Sequence, residues 1–96
     1  MDKIREFTHR FEEDTEAPQL SIDVDVTDRQ HIHINVEEGG NVWLSANREG
    51  WLHLARICAE MGTMDFKPGF HFHMTFDFQG SNGSGQEISF EVAENP

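Results

Sequence analysis

Apolar and polar residues alternate one for one along several stretches of this chain, and that period of two restricts the backbone more than any other feature. Leu20, Ile22, Val24 and Val26 alternate with Ser21, Asp23 and Asp25, and Ile32, Ile34 and Val36 with His31, His33 and Asn35. Further on, Phe70, Phe72, Met74, Phe76 and Phe78 alternate with His71, His73, Thr75 and Asp77, and Ile88, Phe90 and Val92 with Glu87, Ser89 and Glu91. Successive side chains of an extended chain point to opposite sides, so each stretch predicts a strand with one dry and one wet face. One more strand is expected at about 41–46, with Val42 and Leu44 on one side and Trp43 and Ser45 on the other. An antiparallel sheet solvated on one face gives this pattern, whereas a sheet covered on both faces reads as continuous apolar runs.

The punctuation agrees with that reading. Thr27-Asp28-Arg29-Gln30, Glu37-Glu38-Gly39-Gly40 and Lys67-Pro68-Gly69 read as turns, and residues 79–86, rich in Gly, Ser and Asn, as a hairpin loop. Between the third and fourth strands the period changes to that of a helix. Asn47 is a natural N-cap, Glu49 lies in the first turn, and Trp51, Leu54, Ala55, Cys58 and Met61 fall on one face, widened by Leu52 and Ile57. Gly62 is expected to end the helix in a left-handed conformation. Gly50 costs a helix about 1 kcal/mol relative to alanine, and the reason expected for it is close approach of helix to sheet. The predicted fold is α+β, in the order β-β-β-α-β-β. It is a two-layer sandwich in which a mostly antiparallel sheet of about five strands is covered on one face by a single helix. Residues 1–18 form an N-terminal arm, with Ile4, Phe7 and Phe11 compatible with a short helix or an extended segment, and 19–96 form the single domain.

Seven Lys and Arg against eighteen Asp and Glu give a net charge of −11. Nucleic acids and anionic membranes require a cationic footprint, so neither is an expected partner. Acidity of this kind serves solubility, and it also steers a protein toward a basic partner. Cys58 is the only cysteine, which excludes an internal disulfide and a thiolate-rich zinc site; it is expected as a buried, inert thiol on the helix. No stretch approaches the roughly 20 apolar residues of a membrane span and the first six residues contain no apolar run, so the expected location is the cytoplasm.

The predicted wet face displays Asp23, Asp25, His31, His33, Asn35, His71, His73, Thr75, Asp77, Glu87, Ser89 and Glu91. His31 with His33, and His71 with His73, are each same-side pairs in a strand. One reading of this face is a partner-binding surface centred on His71, His73, Asp77, Glu87 and Glu91, with His31 and His33 beside them. The alternative is a Zn or Ni site built from His31, His33, His71 and His73. Imidazoles on a solvated strand face are also simply tolerated, and metal binding needs three or four converging ligands. Catalysis is not expected. There is no nucleophile beside a base, and no glycine-rich loop leads into a helix. His73 and Asp77 stand four residues apart on one strand, about 13 Å along it. No cofactor is expected.

The run from Leu44 to Ala55, which contains Ser45, Asn47, Gly50 and Leu54-Ala55, is followed by Gly69-Phe70-His71-Phe72-His73 and Gly83-Ser84-Gly85-Gln86-Glu87-Ile88. Over roughly residues 40–92 this resembles the immunity protein 32 family, small proteins encoded beside bacterial polymorphic toxins. The shared pattern is S-x-N-x-x-G leading into a helix with L-x-x-L-A, then a strand with H-x-H. The chain departs from it at Met74-Thr75, where an acidic residue is expected, and at Trp51, which replaces a smaller aliphatic residue. The resemblance implies a non-enzymatic antitoxin that binds and neutralises a cognate protein toxin; a basic character for that partner is expected from the net charge, and unpaired strand edges leave a monomer or a weak dimer open. The resemblance supplies no binding residues.

Overall fold

A computed structural model describes the backbone of residues 2–75, 77–80 and 87–94, and the side chains of 2–74 and 88–94. Among the described residues the order is β1 (Ile32–Val36), β2 (Val42–Ala46), α1 (Arg48–Thr63), β3 (His71–Thr75), β4 (Asp77–Gly80) and β5 (Glu87–Glu91). The fold is mixed α and β with one helix, as expected, but the strands form two sheets instead of one. The first has the order β2-β1-β4 and the second pairs β3 with β5. β1 runs antiparallel to β2, with Ile34 opposite Leu44, and parallel to β4, with His33 opposite Asp77. β3 and β5 are antiparallel, with Phe72 opposite Phe90.

Two expectations are corrected by this topology. The long strand predicted over 70–78 is divided: β3 pairs in one sheet and β4 in the other, so the chain passes between sheets where one continuous strand was expected. Strands that change sheets in this way build the corners between packed sheets. The expected strand over residues 20–26 is absent, and the order is β-β-α-β-β-β. Ser21 donates its backbone N–H to Glu60 Oε1 at 2.6 Å and its hydroxyl to Glu60 Oε2 at 2.7 Å. His53 Nε2 donates to the Val24 carbonyl at 3.0 Å, and the Asp25 N–H is turned back onto Asp23 Oδ1. Backbone groups that a sheet ladder would use are thus engaged by side chains of α1 and by a local turn. The alternation is still visible in burial, since Ile22 and Val24 pack on the core while Ser21, Asp23 and Asp25 are exposed.

The core is formed by Ile32 and Ile34 from β1, Leu54 and Ile57 from α1, and Met74 from β3, with Phe72, Ile88 and Phe90 packed against it. The N-terminal arm lies against α1. His9 hydrogen-bonds Glu60, Arg56 stacks over the Phe7 ring at 5.8 Å, and Glu13 accepts the Asp65 N–H at 2.6 Å. The turns are as predicted. Phe70 N–H bonds Lys67 O across Pro68-Gly69, with Gly69 at φ +93°, and Gly40 N–H bonds Glu37 O, with Gly39 at φ +97°. Pro at the second and Gly at the third position is the arrangement a type II turn requires.

Asn47 caps α1 as expected, and does more. Its Oδ1 accepts from Gly50 N–H at 2.8 Å and from His31 N–H at 3.1 Å, while Nδ2 donates to the Arg29 carbonyl at 2.9 Å. One amide therefore joins the helix start to the entry of β1. Asn47→Ala is expected to cost about 2 kcal/mol, the upper end of measured cap losses, in a urea melt. Asn47→Asp, which keeps the acceptor but loses the donor to Arg29, is expected to cost about half as much.

The end of α1 differs from the expectation. Gly62 is helical, and α1 continues to Thr63, whose Oγ1 donates to Ala59 O at 2.7 Å, before the buried Met64 caps it by donating its N–H to Glu60 O. The expected 79–86 loop lies mostly outside the described residues, as do Phe76 and the side chains of Asp77, Phe78 and Glu87. No described helix is long and apolar enough to cross a membrane.

Candidate protein-binding faces

In the β3–β5 sheet, residues directly opposite share a face. His71 lies opposite Glu91, His73 opposite Ser89 and Thr75 opposite Glu87 in register, while Phe72, Phe90, Met74 and Ile88 occupy the positions between. His71, His73, Ser89 and Glu91 are exposed, and Met74 is fully buried. The predicted parity therefore holds in this sheet. His71 Nδ1 donates to the Gly69 carbonyl at 2.9 Å, fixing the ring and, when it is neutral, leaving Nε2 as its acceptor. His73 Nδ1 and Ser89 Oγ are hydrogen-bonded at 2.7 Å, and the two imidazoles meet edge to face at 5.2 Å. Of the residues expected to form the centre of a binding face, His71, His73 and Glu91 come together. Glu87 shares their strand register, but Asp77 does not: its backbone lies beside His33 in the other sheet.

His31 and His33 also stand apart from His71 and His73. His31 is exposed and His33 half-buried, beside an open groove of about 540 Å³ lined by Thr27, Asp28, Gln30 and Asn47. His33 lies in β1 and His31 just before it, whereas His71 and His73 lie in β3 of the other sheet. Among the described residues no group of three or more His, Cys, Asp or Glu side chains is arranged to hold a metal ion.

The buried face of α1 differs from the expected one. His53 and Glu60 are buried, whereas Trp51 and Cys58, expected in the core, are exposed. The buried face of the helix is rotated toward the 53–57–60 line because the irregular segment at 21–24 packs there and its backbone needs polar partners. The available signal was the spacing of His53 and Glu60, seven residues apart and hence on one helix face. Burial by itself opposes ionisation of Glu60. The hydrogen bonds from His9 and Ser21 outweigh it and hold the carboxyl below its ordinary range.

Comparison with known protein families, characterised proteins and solved structures finds no match to this chain.

Proposed function

We propose that this chain is a non-enzymatic protein-binding module, an immunity protein that neutralises a cognate toxin. The observation that carries this reading is the exposed outer face of β3–β5, where His71, His73, Ser89 and Glu91 stand side by side on a chain of net charge −11. All four side chains are exposed and none is a member of the hydrophobic core. An acidic domain suits occlusion of a basic cleft, where complementary charge speeds encounter and close charge pairs contribute several kcal/mol. The sequence resemblance to immunity proteins points the same way.

The test is the association rate with the cognate toxin domain that this reading predicts is encoded beside the gene. Glu91→Lys is expected to slow association severalfold at low salt, with the difference shrinking above physiological ionic strength. His71→Ala with His73→Ala is expected to raise the dissociation rate about tenfold, and none of these changes is expected to move the melting temperature by more than about 2 °C. Unchanged kinetics in both variants would assign binding to another face.

A further inference from the structure

The apolar surface that the fold leaves open lies at the outer edge of the three-stranded sheet. Among the described residues no strand pairs with the free side of β2, whose sequence Val-Trp-Leu-Ser-Ala contains no charge and no proline. Natural edge strands are usually protected by such residues, because an unprotected edge templates pairing with another chain. Val42 is 64% exposed, Trp43 59%, Leu44 42% and Trp51 45%. These two are the only tryptophans in the chain, and tryptophan, highly buried on average, dominates the energetics of protein interfaces.

The two sides of β2 differ. Val42 and Leu44 share the face of Val36 and Ile34, their partners on β1, and Trp43 shares the opposite face with Asn35. On the inner side, Val42, Leu44, Trp51 and Cys58 border a groove of about 290 Å³ that reaches Ile34 and Leu54 and exposes only apolar surface. A strand added to β2 would point every second side chain toward this groove and the others toward Trp43. The first set must be apolar. The second meets an indole face and, at the β1–β2 turn, Glu37 and Glu38, both exposed. A Lys or Arg there gains both cation–π and Coulombic attraction. A second copy of the chain is disfavoured as occupant, because it brings another net charge of −11 to the same edge.

We infer that β2 is a docking edge that captures an extended segment of a partner protein, apolar and cationic residues alternating along it, by completing the sheet. The inference goes beyond the reading of the β3–β5 face, since it places a second binding surface in the other sheet, and it can be tested without any toxin. The probe is a nine-residue peptide alternating valine and lysine, blocked at both ends, titrated into the full chain while tryptophan emission is followed. The expected result is a saturable blue shift. A peptide alternating valine and glutamate, and a valine–lysine peptide N-methylated at alternate residues, are each expected to bind at least tenfold more weakly. Val42→Lys is expected to weaken the valine–lysine peptide at least tenfold with melting unchanged, and Trp43→Ala to weaken it severalfold, which covers the case in which Val42→Lys does not fold. Equal binding of the N-methylated peptide, equal binding of the glutamate peptide, or sedimentation of the free chain as a dimer that Val42→Lys dissociates would overturn the inference. Peptide binding with no affinity for the toxin domain named in the proposal would leave β2 a docking edge and remove the immunity reading alone.

Discussion

Glu60→Ala is expected to lower stability by about 3–5 kcal/mol, the range seen when one member of a buried, hydrogen-bonded polar group is removed. For a domain of this size that corresponds to a fall in melting temperature of about 15–25 °C. The Glu60 side chain is fully buried and accepts from His9, from Ser21 N–H and from Ser21 Oγ. Truncation leaves all three donors without their acceptor, and each such group costs about 1–3 kcal/mol when it stays dry. It also loosens Ile22 and Val24, which pack on the core one and three residues beyond Ser21. The pH dependence follows from the lowered pKa of Glu60. A carboxyl whose folded pKa lies below its unfolded value, about 4.3 for glutamate, contributes its full stability above that unfolded value. The contribution is lost as pH falls through the folded pKa. Glu60→Gln, which retains an acceptor for Ser21 N–H, is expected to lie between wild type and alanine at pH 7. Its urea midpoint is expected to fall less steeply than that of the wild type on acidification. A Glu60→Ala protein that melts within about 2 °C of wild type would show that the arm and residues 21–24 are not held as described.

Gly50→Ala is expected to destabilise by about 1–3 kcal/mol, although helix propensity alone favours alanine by about 1 kcal/mol. A Cβ at position 50 would stand 2.8 Å from the His31 carbonyl oxygen and 3.0 Å from Ala46 Cβ and Ile32 Cγ1. The closest of these is backbone, which cannot rotate away, so α1 would have to withdraw from the entry of β1. Withdrawal would also lengthen the Asn47 hydrogen bonds to Arg29 and His31. Gly62→Ala provides the contrast. Gly62 lies within α1, and apart from its chain neighbours and its own helix backbone nothing stands within 4 Å of its would-be Cβ, so that substitution is expected to stabilise by a few tenths to about 1 kcal/mol. Thermal melts of the two variants therefore move in opposite directions.

Asn47 and Gly50 show what local sequence reveals well. The cap, the close approach and the turns at 37–40 and 67–70 each depend on a few adjacent residues whose stereochemistry allows little else. The same two residues belong to the S-x-N-x-x-G motif on which the family resemblance rests, and here their work is structural. Alternation revealed burial but not pairing. Ile22 and Val24 face inward as period two requires, yet the segment forms no strand, because its hydrogen-bond partners are His53 and Glu60, 29 and 39 residues away from Val24 and Ser21. Nothing in a local window signals that. The division of residues 70–78 between two sheets was hidden for a similar reason, since each half is defined by a distant partner, β5 for one and β1 for the other. As a consequence the expected polar face is also divided: His71, His73 and Glu91 remain together, while His33 and the Asp77 backbone belong to the other sheet and His31 lies just before its β1. The exposed positions of Trp51 and Cys58 were not legible either, because helical periodicity marks a stripe of apolar residues but not whether another element covers all of it.

The proposal that this chain neutralises a toxin is tested most directly by growth of cells that express it together with the cognate toxin domain which the proposal calls for. Full protection by the wild-type chain, reduced by the His71→Ala, His73→Ala, Glu91→Lys triple variant at equal expression and equal melting temperature, is the predicted result. Growth arrest in the presence of abundant, folded wild-type protein would contradict it.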